Sequence, residues 1–235
     1  MLFVALDLAE GSMAQTSTKR PNVTPRSWPA GAGDEHYLVI MFVDMRGSTR
    51  LAEGRLPFDT VFVINQFLNA VSRAVVAAGG SPNQVLGDGL LALFGLAGRP
   101  EEACRAAIVA AAMIAANVEK LNGALSYGLL EPIRFGIGVH AGLAIAGDIG
   151  YERHAQFTAI GDPVNVASRL QGLTKSLGCE VLMSEEVYAR AGFAADDLPA
   201  HEVEVGGRNA FVKARTAARA ADLAIFAAAQ ATGAL

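Results

Sequence analysis

With 235 residues, 52% of them apolar, the chain can bury one sizeable core and still carry a tail, but is short for two full domains. A net charge of −4 and a pI near 5.6, with no lysine- or arginine-rich block, exclude a surface built to grip nucleic-acid backbone. A local basic cluster could still bind one small polyphosphate. Cys104 and Cys179 lie too far apart for a zinc spacing or a secreted disulfide framework, so they read as buried thiols in a reducing, cytoplasmic setting.

Residues 1–35 mix Gly, Pro, Ser, Thr and Asn without periodicity, as in Pro21-Asn22-Val23-Thr24-Pro25, and are expected to form a flexible linker. Gly11-Ser12-Met13 would suit a cloning remnant. A domain is expected over 36–216, followed by an alanine-rich helix over 217–235. The apolar start, Met1–Leu8, has no basic residues ahead of it and is too short to span a bilayer. The alanine-rich runs Ala103–Val118 and Ala217–Leu235 are interrupted by Arg105, Asn117, Arg219, Asp222 and Gln230, so both read as packed helices. No membrane segment is expected in this chain, though a longer parent could carry one upstream.

Within the domain, Tyr37–Val43 is an apolar run of strand length. Pro57 opens a helix with Val61, Ile64, Leu68, Val71 and Val75 on one face and Gly79-Gly80 as its stop. Gln84–Leu86 and Leu90–Phe94, split by Gly87-Asp88-Gly89, predict a hairpin. Glu101–Asn122 predicts a long helix. Ile133–Val139 and Leu143–Ala146 predict a second hairpin, broken at Gly142. A helix from Pro163 turns Val164, Ala167, Leu170 and Leu173 inward. Glu180–Met183 is a further strand, and Val203–Val205 with Ala210–Lys213 a last hairpin. Helices interleaved with hairpins predict an α+β fold, one mostly antiparallel sheet with helices packed against it.

Three segments could carry chemistry. In Phe42-Val43-Asp44-Met45-Arg46-Gly47-Ser48-Thr49, a carboxylate ends a buried strand before a Gly/Ser/Thr turn whose backbone N–H groups could meet phosphate oxygens. An Asp that merely caps the turn is the ordinary alternative. In Leu86-Gly87-Asp88-Gly89-Leu90, the Asp at the hairpin tip is ordinarily turn chemistry. If that hairpin lies beside the first strand, Asp44 and Asp88 converge, and two carboxylates can hold a pair of Mg²⁺ or Mn²⁺ ions. In Thr158–Arg169, Asn165 and Arg169 lie four apart on one helical face. Arg can stabilise charge on a phosphoryl group and Asn can orient a ribose or phosphate oxygen, while a surface salt bridge explains Arg169 equally well.

Taken together these segments resemble the class III adenylate and guanylate cyclases. The resemblance rests on the strand-end segment at Asp44, the Leu-Gly-Asp-Gly hairpin, Gly-Ile-Gly-Val-His-Ala-Gly at Gly136–Gly142, and Thr158-Ala159-Ile160-Gly161-Asp162 running into Asn165 and Arg169. The four occur in order between His36 and Tyr188, with a looser match to Lys213. Gly136–Gly142 is no dinucleotide loop, since no helix follows it and the third glycine is misplaced. His140 belongs to a strand motif there and is taken as structural.

The resemblance implies a ferredoxin-like sheet and attack of a nucleoside triphosphate's ribose 3′-hydroxyl on its own α-phosphate, releasing pyrophosphate. It implies that Asp44, Asp88 and the Met45 carbonyl hold two divalent ions, Mg²⁺ or Mn²⁺. The amides of Arg46, Gly47, Ser48 and Thr49 would face phosphate, with Arg208 near the position of a triphosphate-binding lysine. Asn165 and Arg169 would come from the second subunit of a homodimer with two interfacial sites. Gln84 and Thr158 occupy the base-selecting positions, where relatives commonly carry Lys and Asp. A Gln amide donates and accepts, and so does a Thr hydroxyl, so the pair fits adenine or guanine. Family frequency favours ATP, making adenylate cyclase the expected activity. The alternatives are a guanylate cyclase, or a catalytically weak cyclase-like domain that binds nucleotide and dimerises. A diguanylate cyclase is disfavoured because no Gly-Gly-[Asp/Glu]-Glu-Phe segment occurs. An RNA-binding sheet is disfavoured because aromatics make up only 7%.

Overall fold

A computed structural model describes residues 33–53, 56–127, 129, 131–150, 155–193, 197–204 and 211–224. Its centre is a sheet whose main path runs β2-β3-β1-β4-β6-β8-β7. The strands are β1 (Asp34–Arg46), β2 (Ser81–Leu86), β3 (Gly89–Phe94), β4 (Arg134–Ile149), β5 (Gln156–Ile160), β6 (Val181–Ser184), β7 (Ala200–Glu204) and β8 (Phe211–Ala217). The helices are α1 (Ser48–Ala52), α2 (Pro57–Ala77), α3 (Pro100–Ala124), α4 (Asp162–Leu173) and α5 (Glu185–Ala191), and a 3₁₀ turn spans Ala220–Leu223. Every strand pair is antiparallel except β4–β6, which α4 bridges as a crossover. The α+β expectation is borne out.

Strand alternation divides the core. On β1, Val39, Met41, Val43 and Met45 face α2 and α3, joining Phe67, Val71, Ile108 and Ile114 in the main apolar cluster. Leu38 and Ile40 face the other way, with Phe42, Leu91 and Leu93, under α4 and β5. Asp44, next in this second row, therefore belongs to the α4 side of the sheet.

Two expectations need correction. No hairpin breaks at Gly142: β4 is one 16-residue strand running straight through it, and its later half pairs with β5, which the sequence pattern did not predict. Gly142 is required for a different reason. A Cβ there would lie 2.7 Å from Pro163 Cγ, at the start of α4. The same applies two turns further along that helix, where a Cβ on Gly138 would lie 2.2 Å from the Gln171 amide nitrogen. These β4 glycines form a track on which α4 rests directly on the strand.

The buried face of α2 departs from the expected one only at its start: Val71 and Val75 are buried and Ile64 and Leu68 pack partly buried against the core, as expected. Thr60, Val63, Phe67, Val71, Ala74 and Val75 point inward, whereas Val61 is 55% exposed. Leu56, Phe58 and Phe62 are exposed beside it. Among the described residues α2 is the one helix long and apolar enough to cross a membrane, but Val63, Phe67 and Val71 pack in the main core. Ala217 ends β8 and Ala220–Leu223 form the 3₁₀ turn against α3, so of the expected 217–235 helix the part from 225 onward lies outside the described residues.

Candidate active site

The site grows from the end of β1. Asp44 pairs with Gly89 on one side and with Gly136 on the other. A Cβ on Gly89 would sit 2.8 Å from Asp44 Oδ1, so that glycine clears the space the carboxylate occupies. Asp88 stands on the β2–β3 turn one residue before Gly89, its turn set by the left-handed Gly87 (φ 66°). Burial first, and then the charge of Asp88, raise the Asp44 carboxyl to about 6. The two acids the sequence singled out are thus electrostatic neighbours, and among the described residues neither has a basic partner.

This arrangement suits a hard cation. Two oxygen-donor side chains repel each other, one holds its proton unusually well, and glycine leaves room over the carboxylate. Among the described residues no group of three or more His, Cys, Asp or Glu side chains is placed to hold a metal ion. Any ion here would therefore complete its shell with backbone, water or substrate oxygens.

After Arg46 the chain turns, at the left-handed Gly47. The Met45 side chain enters the main core, leaving only its backbone to the site. Arg46 stays in the ladder opposite Arg134 and sends its side chain to the Cys179 carbonyl. Gly47, left-handed at φ 77°, starts α1, and Ser48 and Thr49 form its first turn. The leading amides of a helix have no partner within it. A cavity of about 210 Å³ opens beside this turn, with Arg46, Arg50, Arg134, Glu53 and Glu131 among its lining residues.

Residues 33–215 match the family model of the adenylate and guanylate cyclase catalytic domain. The chain belongs to that family. It is 37% identical over 161 residues to an adenylate cyclase of Anabaena cylindrica, covering 67% of this chain and 31% of that protein. It is 32% identical over 176 residues to adenylate cyclase 1 of Rhizobium meliloti, covering 73% of this chain and 26% of that protein. The chain thus spans under a third of the length of these relatives. Among solved structures, the guanylyl cyclase Cya2 superposes with a TM-score of 0.71 at 24% identity, covering 79% of this chain and 93% of that one. The adenylyl cyclase CyaB of P. aeruginosa gives 0.66 at 23% identity, covering 78% and 94%. Both share the cyclase fold.

The cyclase motifs lie on two surfaces. Asp44, Asp88 and the Gly47 turn gather at one end of β1. Asn165 and Arg169 stand on the outer face of α4, both exposed, because Pro163, Val166, Ala167 and Leu170 hold the inner face on the sheet. Among the described residues Arg169 has no carboxylate partner, so the surface salt bridge is not formed. Arg208 lies outside the described residues.

The two positions expected to select the base lie on neighbouring strands. Gln84 is exposed and pairs with Leu91, which pairs with Phe42, so Gln84 shares the sheet face of Asp44. Thr158, on β5, bonds to the neighbour of Gln84 and not to Gln84 itself. Its hydroxyl donates to Asn83 Oδ1 at 3.0 Å, while Asn83 Nδ2 donates to the Phe157 carbonyl at 2.7 Å. Sequence reasoning passed over Asn83. The signal was faint: a polar residue between Pro82 and Gln84 where the strand register breaks. His140 sits on β4 opposite Ile40, half-buried.

Proposed function

We propose that this domain is an adenylate cyclase, forming 3′,5′-cyclic AMP and pyrophosphate from ATP in cyclic-nucleotide signalling. The observation that carries the reading is the Asp44–Asp88 pair, buried enough and close enough to hold the Asp44 carboxyl near 6. Two curated adenylate cyclases among the relatives support ATP over GTP.

In this reading Asp44, Asp88 and the Met45 carbonyl hold two divalent ions, Mg²⁺ or Mn²⁺. Bound there, such ions supply Lewis acidity to the ribose 3′-hydroxyl and neutralise triphosphate charge. The amides of Gly47, Ser48 and Thr49 face phosphate oxygens, with Arg46 contributing its backbone and Arg208 the far end of the triphosphate. Gln84 and Thr158 meet the purine edge. Asn165 orients the ribose, and Arg169 stabilises the charge that builds on the α-phosphate as pyrophosphate leaves.

Asn165 and Arg169 point away from the sheet that bears Asp44, which supports a homodimer in which each chain completes its partner's site. Exposed Leu143, Ile145 and Ile160 on β4 and β5 offer apolar surface for that contact. Mixing tests it. Asp44→Ala chains and Arg169→Ala chains, each inactive alone with Mn²⁺ and ATP, should recover about a quarter to a half of wild-type activity when combined, because each mixed dimer carries one intact site of its two. Cyclic AMP is the readout. No recovery in a confirmed mixed dimer would sink the shared-site reading.

A further inference from the structure

Asn83 is the extra residue of a β-bulge. On β2, Pro82 pairs with Ala92 and Gln84 with Leu91, so Asn83 has no partner across the ladder. A bulge re-aims the side chain it frees. Here the Asn83 amide reaches β5 and makes two bonds, to the Phe157 carbonyl and to the Thr158 hydroxyl.

The first bond fixes the sense of the second. A backbone carbonyl can only accept, so the amide nitrogen of Asn83 must be the atom facing Phe157. Its oxygen then faces Thr158. An amide oxygen also only accepts, so Thr158 must spend its single O–H on Asn83. What Thr158 has left to offer a ligand is lone pairs.

We propose that Asn83 is a positioning residue that makes Thr158 an obligatory acceptor, biasing the site toward a 6-amino purine over a 6-oxo purine. This rests on the cyclase reading above, in which Thr158 meets the base edge. The adenine amino group donates to the Thr158 oxygen. The guanine O6 meets it lone pair to lone pair. Gln84, whose amide can turn either way and which has no partner among the described residues, accommodates both bases and adds no bias of its own.

The test compares kcat/KM for ATP and for GTP in the purified, dimeric chain with Mn²⁺. Wild type should prefer ATP. Asn83→Leu, which frees the Thr158 hydroxyl to donate, should lower the ATP:GTP ratio about ten-fold. Asn83→Asp keeps an acceptor on Thr158 while losing the bond to Phe157, and should hold the ratio within about two-fold of wild type. Thr158→Val, a near-isosteric change that does not depend on Asn83→Leu folding, should also lose about ten-fold in the ratio. A purely structural role for Asn83 predicts a parallel loss with both nucleotides at constant ratio, and that result overturns the inference. So does a wild-type preference for GTP, which leaves the cyclase chemistry standing. No cyclic product from either nucleotide overturns the cyclase reading, and this inference with it.

Discussion

The two faces of the central sheet are built from the same strands yet closed in different ways. On the α2–α3 side, long helices lay branched and aromatic side chains onto β1, β3 and β4, and the row from Val39 to Met45 is almost fully buried. On the other side α4 sits so close to β4 that Gly138 and Gly142 have no room for a Cβ, and β5 folds across beside it. The row Leu38, Ile40, Phe42 on that side runs into a charge, Asp44. Apolar packing holds the first face. The second trades side-chain volume for close backbone approach and leaves the end of β1 open to a ligand.

If chemistry is confined to the second face, removing its carboxylates should give the largest functional effect with the least structural damage. Asp44→Ala and Asp88→Ala are each expected to lower kcat/KM for cyclic nucleotide formation by about a thousand-fold or more, the scale of several kcal/mol of lost metal-assisted stabilisation. The far-ultraviolet circular dichroism and the midpoint of thermal unfolding should stay at or above wild type. A large loss of stability would mean that the acids brace the fold.

A pair of packing variants sharpens the comparison. Phe67→Ala empties the fully buried position that α2 contributes to the first face and should cost about 3–5 kcal/mol. The activity per folded molecule should survive. Gly138→Ala should cost about 3 kcal/mol, because the new methyl must displace α4 from β4. Activity should fall with it even in the folded fraction, since Asn165 and Arg169 ride on α4. Denaturant unfolding with activity measured well below the midpoint separates the two outcomes. Equal activity in both folded variants would erase the functional distinction between the faces.

The same contrast explains what the sequence made legible. The order of motifs named the family, and strand-length runs such as Tyr37–Val43 and Leu90–Phe94 located β1 and β3. Gly142 misled because a glycine in an apolar run signals either a turn or a close neighbour, and only the position of Pro163 decides between them. Only Val61 misled on α2, because its first turns carry apolar residues on all sides, Phe58, Val61 and Phe62 among them, so periodicity there fits more than one orientation. Asn83 stayed hidden because a bulge depends on the register of two strands, and register is a property of the pair. Asp44 and Asp88 were legible as candidates, but their mutual influence was not, since it requires β1 and the β2–β3 turn to be folded side by side.

That mutual influence carries the smallest prediction. Folding raises the Asp44 carboxyl from 3.8 to about 6, so between those values the folded chain binds more protons than the unfolded one. Stability of the metal-free protein should therefore fall as pH rises through this window, and above it the ionised pair destabilises the fold. Asp44 is partly open to solvent, and screening reduces the effect to about 1 kcal/mol. Asp44→Asn removes it and should raise the metal-free melting temperature at pH 7.5 by about 2–4 °C, while leaving it unchanged at pH 4. Mn²⁺ should have the opposite pattern. It stabilises wild type at pH 7.5 by binding the folded state, loses that effect as protons compete below about 6, and does little for Asp44→Asn at any pH. A carboxylate that only capped the turn after β1 would instead lower the melting temperature when replaced by Asn and give no dependence on Mn²⁺. The sign of the Asp44→Asn shift thus separates an acid that supports the fold from one that the fold holds ready for a cation.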